Sequence, residues 1–463
     1  MKKVSGWFVA AGAVVALLVG GALGYFAPHP QSQAQVPAEF QKVLDTYNAI
    51  DSSYYKKVSE KKLAQGAISG MVDSLDDPYS VYLQNNDASS LNTQISGSFG
   101  GIGATMRQSS DGVYVDTTNA GSAAQKAGIK AGDKIVSVDG KSMAKKDINA
   151  VVSQVRGKIG TKVQVGISRG GKQQTFTMTR AKVTVPSMSG TIDKAHKQIG
   201  IITFTTFTDS SAKEMKQVVK KLRKQGAKKF VLDLRGNPGG VLDQAMKIDS
   251  MFLKNGKTIV QVKQRGQNAE VYKAGKKYDD GFKIKEPTVV LIDGNSASAS
   301  EITAAALNQS AGIPLIGTKS FGKGTVQTIA GMNNKSELKL TIAKWLTPNG
   351  TWINHKGIQP TIKADYPKYA YLQAIGADSL NAGATGKDVK TLQSMLTAVG
   401  QKTAVSGTYD DATTAAVKAF QSAHQLSATG KADANTIVAI EAALTAKIAQ
   451  NDNAMKAAVK KLQ

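Results

Sequence analysis

The chain has no cysteine, only four histidines and only 11 prolines among 463 residues. Missing thiols exclude disulfides, a cysteine nucleophile, cysteine-ligated zinc and a lipid anchor on cysteine. With four histidines and no H-E-x-x-H pair, a zinc hydrolase has little to be built from. Acidic residues are scarce as well: 34 Asp and Glu stand against 59 Lys and Arg, a formal net charge of +25. That imbalance is a surface property. It serves solubility, and it favours anionic surroundings such as nucleic acid, phospholipid or an anionic cell-wall polymer. Hydrophobic residues at 41% argue for packed domains rather than a disordered chain, and the length suits about three or four of them.

Lys2 and Lys3 precede an uncharged stretch from Trp7 to Phe26, rich in Ala, Val, Leu and Gly. About 20 apolar residues span a bilayer core as a helix. Positive charge ahead of the stretch predicts a cytoplasmic N-terminus and an extracytoplasmic remainder, with Trp7 and Tyr25-Phe26 as interfacial aromatics. A cleaved signal peptide is the competing reading. The run is longer than an ordinary signal core, however, and no A-x-A site follows at once. Residues 1–35 are therefore read as a single-pass anchor and a Pro- and Gln-containing tether. Both readings place everything after residue 35 outside the cytoplasm.

Residues 36–95 carry apolar positions at helical spacing (Phe40, Val43, Leu44, Tyr47, Ile50), broken at Asp76-Asp77-Pro78-Tyr79. From 96 to 186 the texture changes to short β-runs divided by glycines. Gly112 to Val115 reads as a strand, Ala123 onward as a short helix, and Asp139-Gly140 as a hairpin turn. Asp147 to Val155 reads as a second helix, with closing strands at 163–167 and 174–178. This stretch resembles a PDZ domain, on the string A-G-I-K-x-G-D-x-I-x-x-V-D-G. The resemblance implies a groove that takes an extended peptide as an added strand, with its terminal carboxylate held by the loop Gly101-Ile102-Gly103-Ala104.

From 187 to 366 strands and helices alternate, which predicts a mainly parallel sheet with covering helices. Three glycine-marked loops follow buried strands, where open α/β sheets bind ligands. They are Asp233-Leu-Arg-Gly-Asn-Pro-Gly-Gly240, Gly294-Asn-Ser-Ala-Ser-Ala-Ser-Glu301 and Thr318-Lys-Ser-Phe-Gly-Lys-Gly-Thr-Val-Gln327. A serine at a strand-to-helix turn exposes its hydroxyl beside N–H groups that can stabilise an oxyanion. Composition does not choose among Ser296, Ser298 and Ser300. The base is not a histidine: His29 and His424 fall outside this domain, and His196 and His355 lie in no glycine-flanked loop. Lys323, between two glycines, can act as a base once burial lowers its pKa from about 10.4.

S-A-S-A-S-E followed by F-G-K-G-x-V-Q is similar to the C-terminal processing peptidases, the tail-specific serine proteases. D-L-R-G-N-P-G-G and L-D-D-P-Y-S-V-Y (Leu75 to Tyr82) fit the same family, and the match extends to about residue 365. The resemblance implies a crotonase/Clp-like α/β protease core with Ser298 as nucleophile, Lys323 as base and Gln327 orienting the lysine amine. It further implies an oxyanion hole of Ala299 with Gly239 or Gly240. On a strand, residues 323 and 327 would share one face.

After Tyr366 comes a linker, 367–378, then an Ala- and Thr-rich segment at 379–445 with a weak internal repeat. Gly407-x-x-Asp410-x-x-Thr413 recurs as Gly430-x-x-Asp433-x-x-Thr436. The segment resembles a three-helix peptidoglycan-binding domain, with Leu392, Leu396, Val417 and Phe420 at core spacing. Residues 446–463 read as a solvated helix or tail. The fold class expected is thus multidomain α/β: anchor, helical segment, PDZ domain, protease core and helical wall-binding module. The expected partners are protein or peptide C-termini as substrate, cell-wall peptidoglycan and the membrane, with no nucleic acid, no metal and no cofactor. Self-association stays open, and a Gram-positive cell surface suits the architecture. The rival reading is a catalytically silent PDZ scaffold bridging membrane and wall.

Overall fold

The computed structural model describes residues 37–332 and 336–463, and the expected anchor and tether at 1–35 lie outside them. Among the described residues no helix is long and apolar enough to cross a membrane.

Two helices come first, α1 (Ala38–Ser53) and α2 (Glu60–Asp73), then β1 (Val81–Gln84) and α3 (Asn85–Ser96). The helical reading of residues 36–95 took in 81–84, but that stretch is a strand. The cause is tertiary: its backbone pairs antiparallel with residues 336–339 of the α/β domain, Val81 opposite Lys339. β2 (Ser98–Gly101) precedes the PDZ unit, formed by β3 (Ala104–Ser109), β4 (Gly112–Thr118), α4 (Ala123–Ala127), β5 (Lys134–Val138), β6 (Lys141–Ser142), α5 (Ile148–Val155), β7 (Lys162–Arg169) and β8 (Lys172–Thr179). β9 (Ala181–Thr184) pairs back onto β2 and closes the unit. Asp139 and Gly140 join β5 to β6 with positive φ of 47° and 74°, as a two-residue primed turn requires. The sheet order β3-β4-β5-β7-β8 leaves β3 at an edge, with α5 packed beside it.

The α/β domain runs through β10 (Met188–Ile192), β11 (Ile199–Phe204), α6 (Ser211–Lys224), β12 (Lys229–Asp233), α7 (Leu242–Phe252), β13 (Thr258–Gln264), β14 (Glu270–Lys273), α8 (Lys276–Asp279), β15 (Thr288–Ile292), α9 (Ala299–Ala311), β16 (Leu315–Gly317), β17 (Thr325–Met332), β18 (Ser336–Leu346) and β19 (Ile362–Lys363). Its main sheet has the order β10-β11-β12-β15-β16-β19, parallel except for β10. Alternation along the strands splits the core into two layers. Phe204, Leu232, Val290 and Ile292 pack against α6, α7 and α9. Val231, Val289, Leu291 and Ile316 face the other way and need a second cover.

Between β19 and that cover stands the helical module of α10 (Lys387–Ala398), α11 (Asp411–Ala423) and α12 (Ala434–Gln450). Leu392, Leu396, Val417 and Phe420 are buried in its core, as their spacing predicts. The repeat is structural as well. Asp410 caps α11 by accepting from Thr413 N (2.8 Å), and Asp433 caps α12 by accepting from Thr436 N (2.8 Å). Buried Gln393 accepts from Gly407 N and donates to Thr413 Oγ1, and Gln421 does the same with Gly430 N and Thr436 Oγ1.

The cover is α13 (Asn453–Leu462), whose Ala454, Ala458 and Leu462 pack on the second sheet face. This corrects the expectation of a solvated tail. The apolar stripe at i, i+4 and i+8 was there to be read, but it is short, made mostly of alanine and set among lysines. The helical module is therefore spliced into the α/β domain rather than appended to it.

Gln421→Ala is expected to destabilise the helical module by about 2 kcal/mol, because it strands the Gly430 N–H and the Lys431 carbonyl in a buried site. Amide hydrogen exchange over residues 385–444 checks this, and unchanged protection there would refute it.

Candidate active site

β12, β15 and β16 are consecutive parallel strands, and the three glycine-marked loops leave their C-terminal ends together. Ser298 is the N-cap of α9, at φ 55° and ψ −114°. A non-glycine residue held in such a region costs on the order of 1–3 kcal/mol, as nucleophile turns characteristically do. The flanking serines behave differently. Ser296 Oγ donates to the Leu234 carbonyl (2.8 Å) and Ser300 Oγ to the Asn237 carbonyl (2.9 Å), and both residues are fully buried. They stitch the β15–α9 loop to the β12–α7 loop. Ser298 is the one serine of the three that is partly exposed.

The β12–α7 loop lies directly against Ser298. At Gly239, φ 95°, an added Cβ would sit 2.6 Å from the Ala297 carbonyl and 2.9 Å from Ser298 Cβ, so the approach excludes any side chain. Its N–H donates to Asn237 Oδ1 (2.9 Å) and is therefore committed. The N–H groups of Gly240 and Ala299 find no acceptor among the described residues. Of the two glycines weighed for the oxyanion hole, Gly240 is the one with a donor left.

Glu301, on the first turn of α9, joins the loops. Its buried carboxylate accepts four bonds: Oε2 from Ser298 N (2.9 Å) and Lys323 N (2.8 Å), and Oε1 from Ser320 Oγ (2.6 Å) and Gly322 N (2.7 Å). One oxygen thus holds the backbones of Ser298 and Lys323 side by side. The sequence placed Glu301 only at a helix start. Its signal was an acidic residue three positions after an N-cap serine.

The Lys323 loop is pinned from behind, with Trp345 Nε1 donating to the Lys323 carbonyl (2.8 Å) and Trp352 Nε1 to that of Gly324 (2.9 Å). The Lys323 amine lies 4.8 Å from the centre of the Tyr79 ring. Burial and the nearby Lys339 charge together bring its pKa down to about 8, against the pull of Asp77 and Glu301. Burial alone would raise the Asp77 carboxyl, but bonds from Ser80, Thr341 and the Tyr79 N–H, with the Lys323 charge, hold it below the ordinary range. Tyr79 and Asp77 arrive from the N-terminal segment through the β1–β18 pairing. Their string, D-D-P-Y-S, stood out in the sequence only as a helix break and as part of a family pattern.

Gln327 lies on β17, but Lys323 precedes that strand, so strand alternation does not place the two residues on one face. Gln327 Nε2 donates to Thr325 Oγ1 (3.0 Å) and Thr341 Oγ1 (3.1 Å). Lys323 Nζ makes no hydrogen bond to Gln327 or to Ser298 here.

In the PDZ unit, the Gly101–Ala104 loop leads into edge strand β3. The carbonyls of Ile102 and Gly103 accept from Ala124 N (2.8 Å) and Asn119 N (2.8 Å), whereas the N–H groups of these two residues carry no intramolecular bond. That is the polarity a carboxylate site needs.

Comparison with known proteins agrees with this anatomy. A family model described as peptidase family S41 matches residues 198–364, a PDZ model residues 100–179, and a putative peptidoglycan binding domain residues 385–440. Residues 26–87 match the N-terminal domain of the activating protease CtpB. The carboxy-terminal processing protease CtpA of Bacillus subtilis is 41% identical over 427 residues, 92% of this chain and 91% of that protein. The chain belongs to the S41 peptidase family. It is a C-terminal processing serine protease with a PDZ domain and a C-terminal peptidoglycan-binding domain. A probable CtpA-like serine protease of Staphylococcus aureus is 39% identical over 86% of this chain and 80% of its own length. Among solved structures, a photosystem II D1 C-terminal processing protease matches at 27% identity over 71% of this chain and 94% of that one, with a TM-score of 0.42.

Glu301→Gln puts an amide NH2 against two of the protease's four donors. A cleavage rate at least about 100-fold lower is expected, from a loss of roughly 3 kcal/mol in holding the two loops. A rate within threefold of wild type would refute the bracing role.

Proposed function

We propose that the protease cleaves extracytoplasmic proteins by a Ser298–Lys323 dyad. Neutral Lys323 takes the Ser298 proton and the alkoxide attacks the scissile carbonyl; the C–N bond then breaks as Lys323 passes that proton to the leaving amine, and water hydrolyses the acyl-enzyme. The N–H groups of Ala299 and Gly240 receive the oxyanion. Gln327 Oε1 stays available to accept from the lysine amine once that amine turns from Tyr79 toward Ser298. The observation that carries this reading is the Glu301 carboxylate, which holds the backbones of a partly exposed, strained serine and a partly buried lysine together.

The substrate C-terminus enters as an added strand on β3, its carboxylate on the Ile102 and Gly103 N–H groups. The segment from Trp7 to Phe26 holds the enzyme in the membrane with its catalytic domain outside, and the 385–440 module binds peptidoglycan. A +25 net charge suits a wall rich in anionic polymer.

Full-length protein is expected to degrade an unfolded test protein with an apolar C-terminus, and Ser298→Ala and Lys323→Ala each to abolish cleavage at unchanged Tm. Cleavage surviving Ser298→Ala would move the nucleophile elsewhere. Peptide binding without cleavage by wild type would favour a scaffold.

The pH profile follows from the lysine. Only its neutral form accepts a proton, so kcat/KM is expected to rise about tenfold per pH unit and level off near pH 8. Lys339→Met removes a like charge, raises the Lys323 pKa and moves the limb to higher pH. Asp77→Asn removes an opposite charge and moves it lower. A limb that stays in place in both variants would refute lysine as the titrating base.

A further inference from the structure

Arg235 opens the glycine-rich stretch that ends at Gly240, and its guanidinium is nearly buried. Nε and Nη2 bond Asp233 of the preceding strand end (2.9 and 2.8 Å). The other side of the fork faces Asp452, with Nη1 to Oδ1 and Nη2 to Oδ2 both at 2.8 Å. Asp452 stands 217 residues further along the chain. It is the N-cap of α13, where Oδ1 also accepts from Met455 N (2.9 Å). Tyr366, the last residue before the linker to the wall-binding module, bonds Nη1 through its hydroxyl and lies beneath the guanidinium, 5.2 Å from ring centre to Cζ. One arginine therefore grips the chain where it leaves the protease domain for the module and where it returns.

Bidentate Arg–carboxylate contacts are directional and strong when little water reaches them, and Asp452 is about four-fifths buried. The only covalent path from Arg235 to the Gly240 N–H is five residues of glycine- and proline-containing loop. That loop is seated by Asn237, whose Oδ1 accepts from Gly239 N, and by Gly236 N donating to Asp293 Oδ1 (3.0 Å).

We propose that Asp452 is a positioning residue of the protease: by holding Arg235 it fixes the 236–240 loop, and so the oxyanion-hole donor, from the far end of the chain. It acts through Arg235 and touches no substrate. Because the module's exit and return points meet at this arginine, the catalytic loop is set only when the chain beyond the module has docked on the sheet.

The catalytic part of the inference rests on the Ser298 reading above; the structural part does not. In full-length Asp452→Asn, the asparagine keeps an N-cap oxygen for Met455 but turns an NH2 toward the guanidinium. Amide exchange over 236–240 is expected to quicken at least about tenfold, as loss of one charge-assisted bond implies, while α13 and β15 stay protected and Tm is kept within a few degrees. On the unfolded test protein, kcat is expected to fall at least about tenfold with KM within twofold. Asp452→Ser, which also caps but reaches no guanidinium, replaces the asparagine variant if that one fails to fold. Unchanged exchange over 236–240 overturns the proposal whatever the activity does. So does faster exchange spread equally over α13 and the sheet, which would make Asp452 a docking residue only. Faster loop exchange with kcat intact overturns it too. If wild type itself cleaves nothing, the dyad reading fails, and the exchange comparison still decides whether Asp452 holds the loop.

Discussion

The carboxylate of Glu301 is the constraint on which the catalytic arrangement depends. A buried carboxylate is tolerated only when its oxygens are well bonded, and this one accepts four donors from two loops and its own helix start. The bond to the Ser298 N–H holds a backbone conformation that would otherwise relax. The bonds to Gly322 and Lys323 draw a glycine-rich loop, with little conformational preference of its own, into one place. The negative charge also faces the Lys323 amine, and it limits how far burial lowers that pKa. The group that braces the loops thus also acts on the lysine's proton affinity, after burial, Lys339 and Asp77.

Around this brace the site is assembled from the whole length of the described chain. The N-terminal segment contributes Asp77 and Tyr79 by adding a strand to β18. The C-terminal end contributes a helix that covers the second face of the sheet and an aspartate that grips Arg235. The PDZ unit and the wall-binding module are inserted between these contributions, so each accessory domain is flanked by pieces of the catalytic one. Disturbance at either end reaches the site through few, well-defined contacts: a strand pairing, a cation over a ring and one bidentate ion pair.

Much of the fold was legible locally. The Asp139-Gly140 turn, the apolar strands from Ile199 to Ile292 and the twin capping aspartates 410 and 433 follow from residue type and spacing. Their stabilising partners lie close in sequence, or their periodicity is long enough to be unambiguous. Val81–Gln84 and Asn453–Leu462 were not legible. Each is short and its local pattern suits another state, a helix in one case and a solvated tail in the other. Each is decided by partners more than a hundred residues away in the chain. The shared face inferred for residues 323 and 327 failed for a related reason, since Lys323 lies in the loop before β17, where strand alternation does not apply.

The sequence by itself determined the class of chemistry. Without cysteine, and without a usable histidine, a hydroxyl and a lysine in glycine-marked loops were the reactive groups left, because reactivity is carried by residue type. It could not by composition separate Ser298 from Ser296 and Ser300, nor say which glycine N–H remains open, nor connect Asp77, Tyr79, Glu301 and Asp452 to the site. Which of the three hydroxyls is exposed, which glycine N–H is open and where the distant residues come together were decided only by the tertiary structure. Hydrogen-bond commitment, burial and the approach of distant charges exist only once the chain has closed on itself.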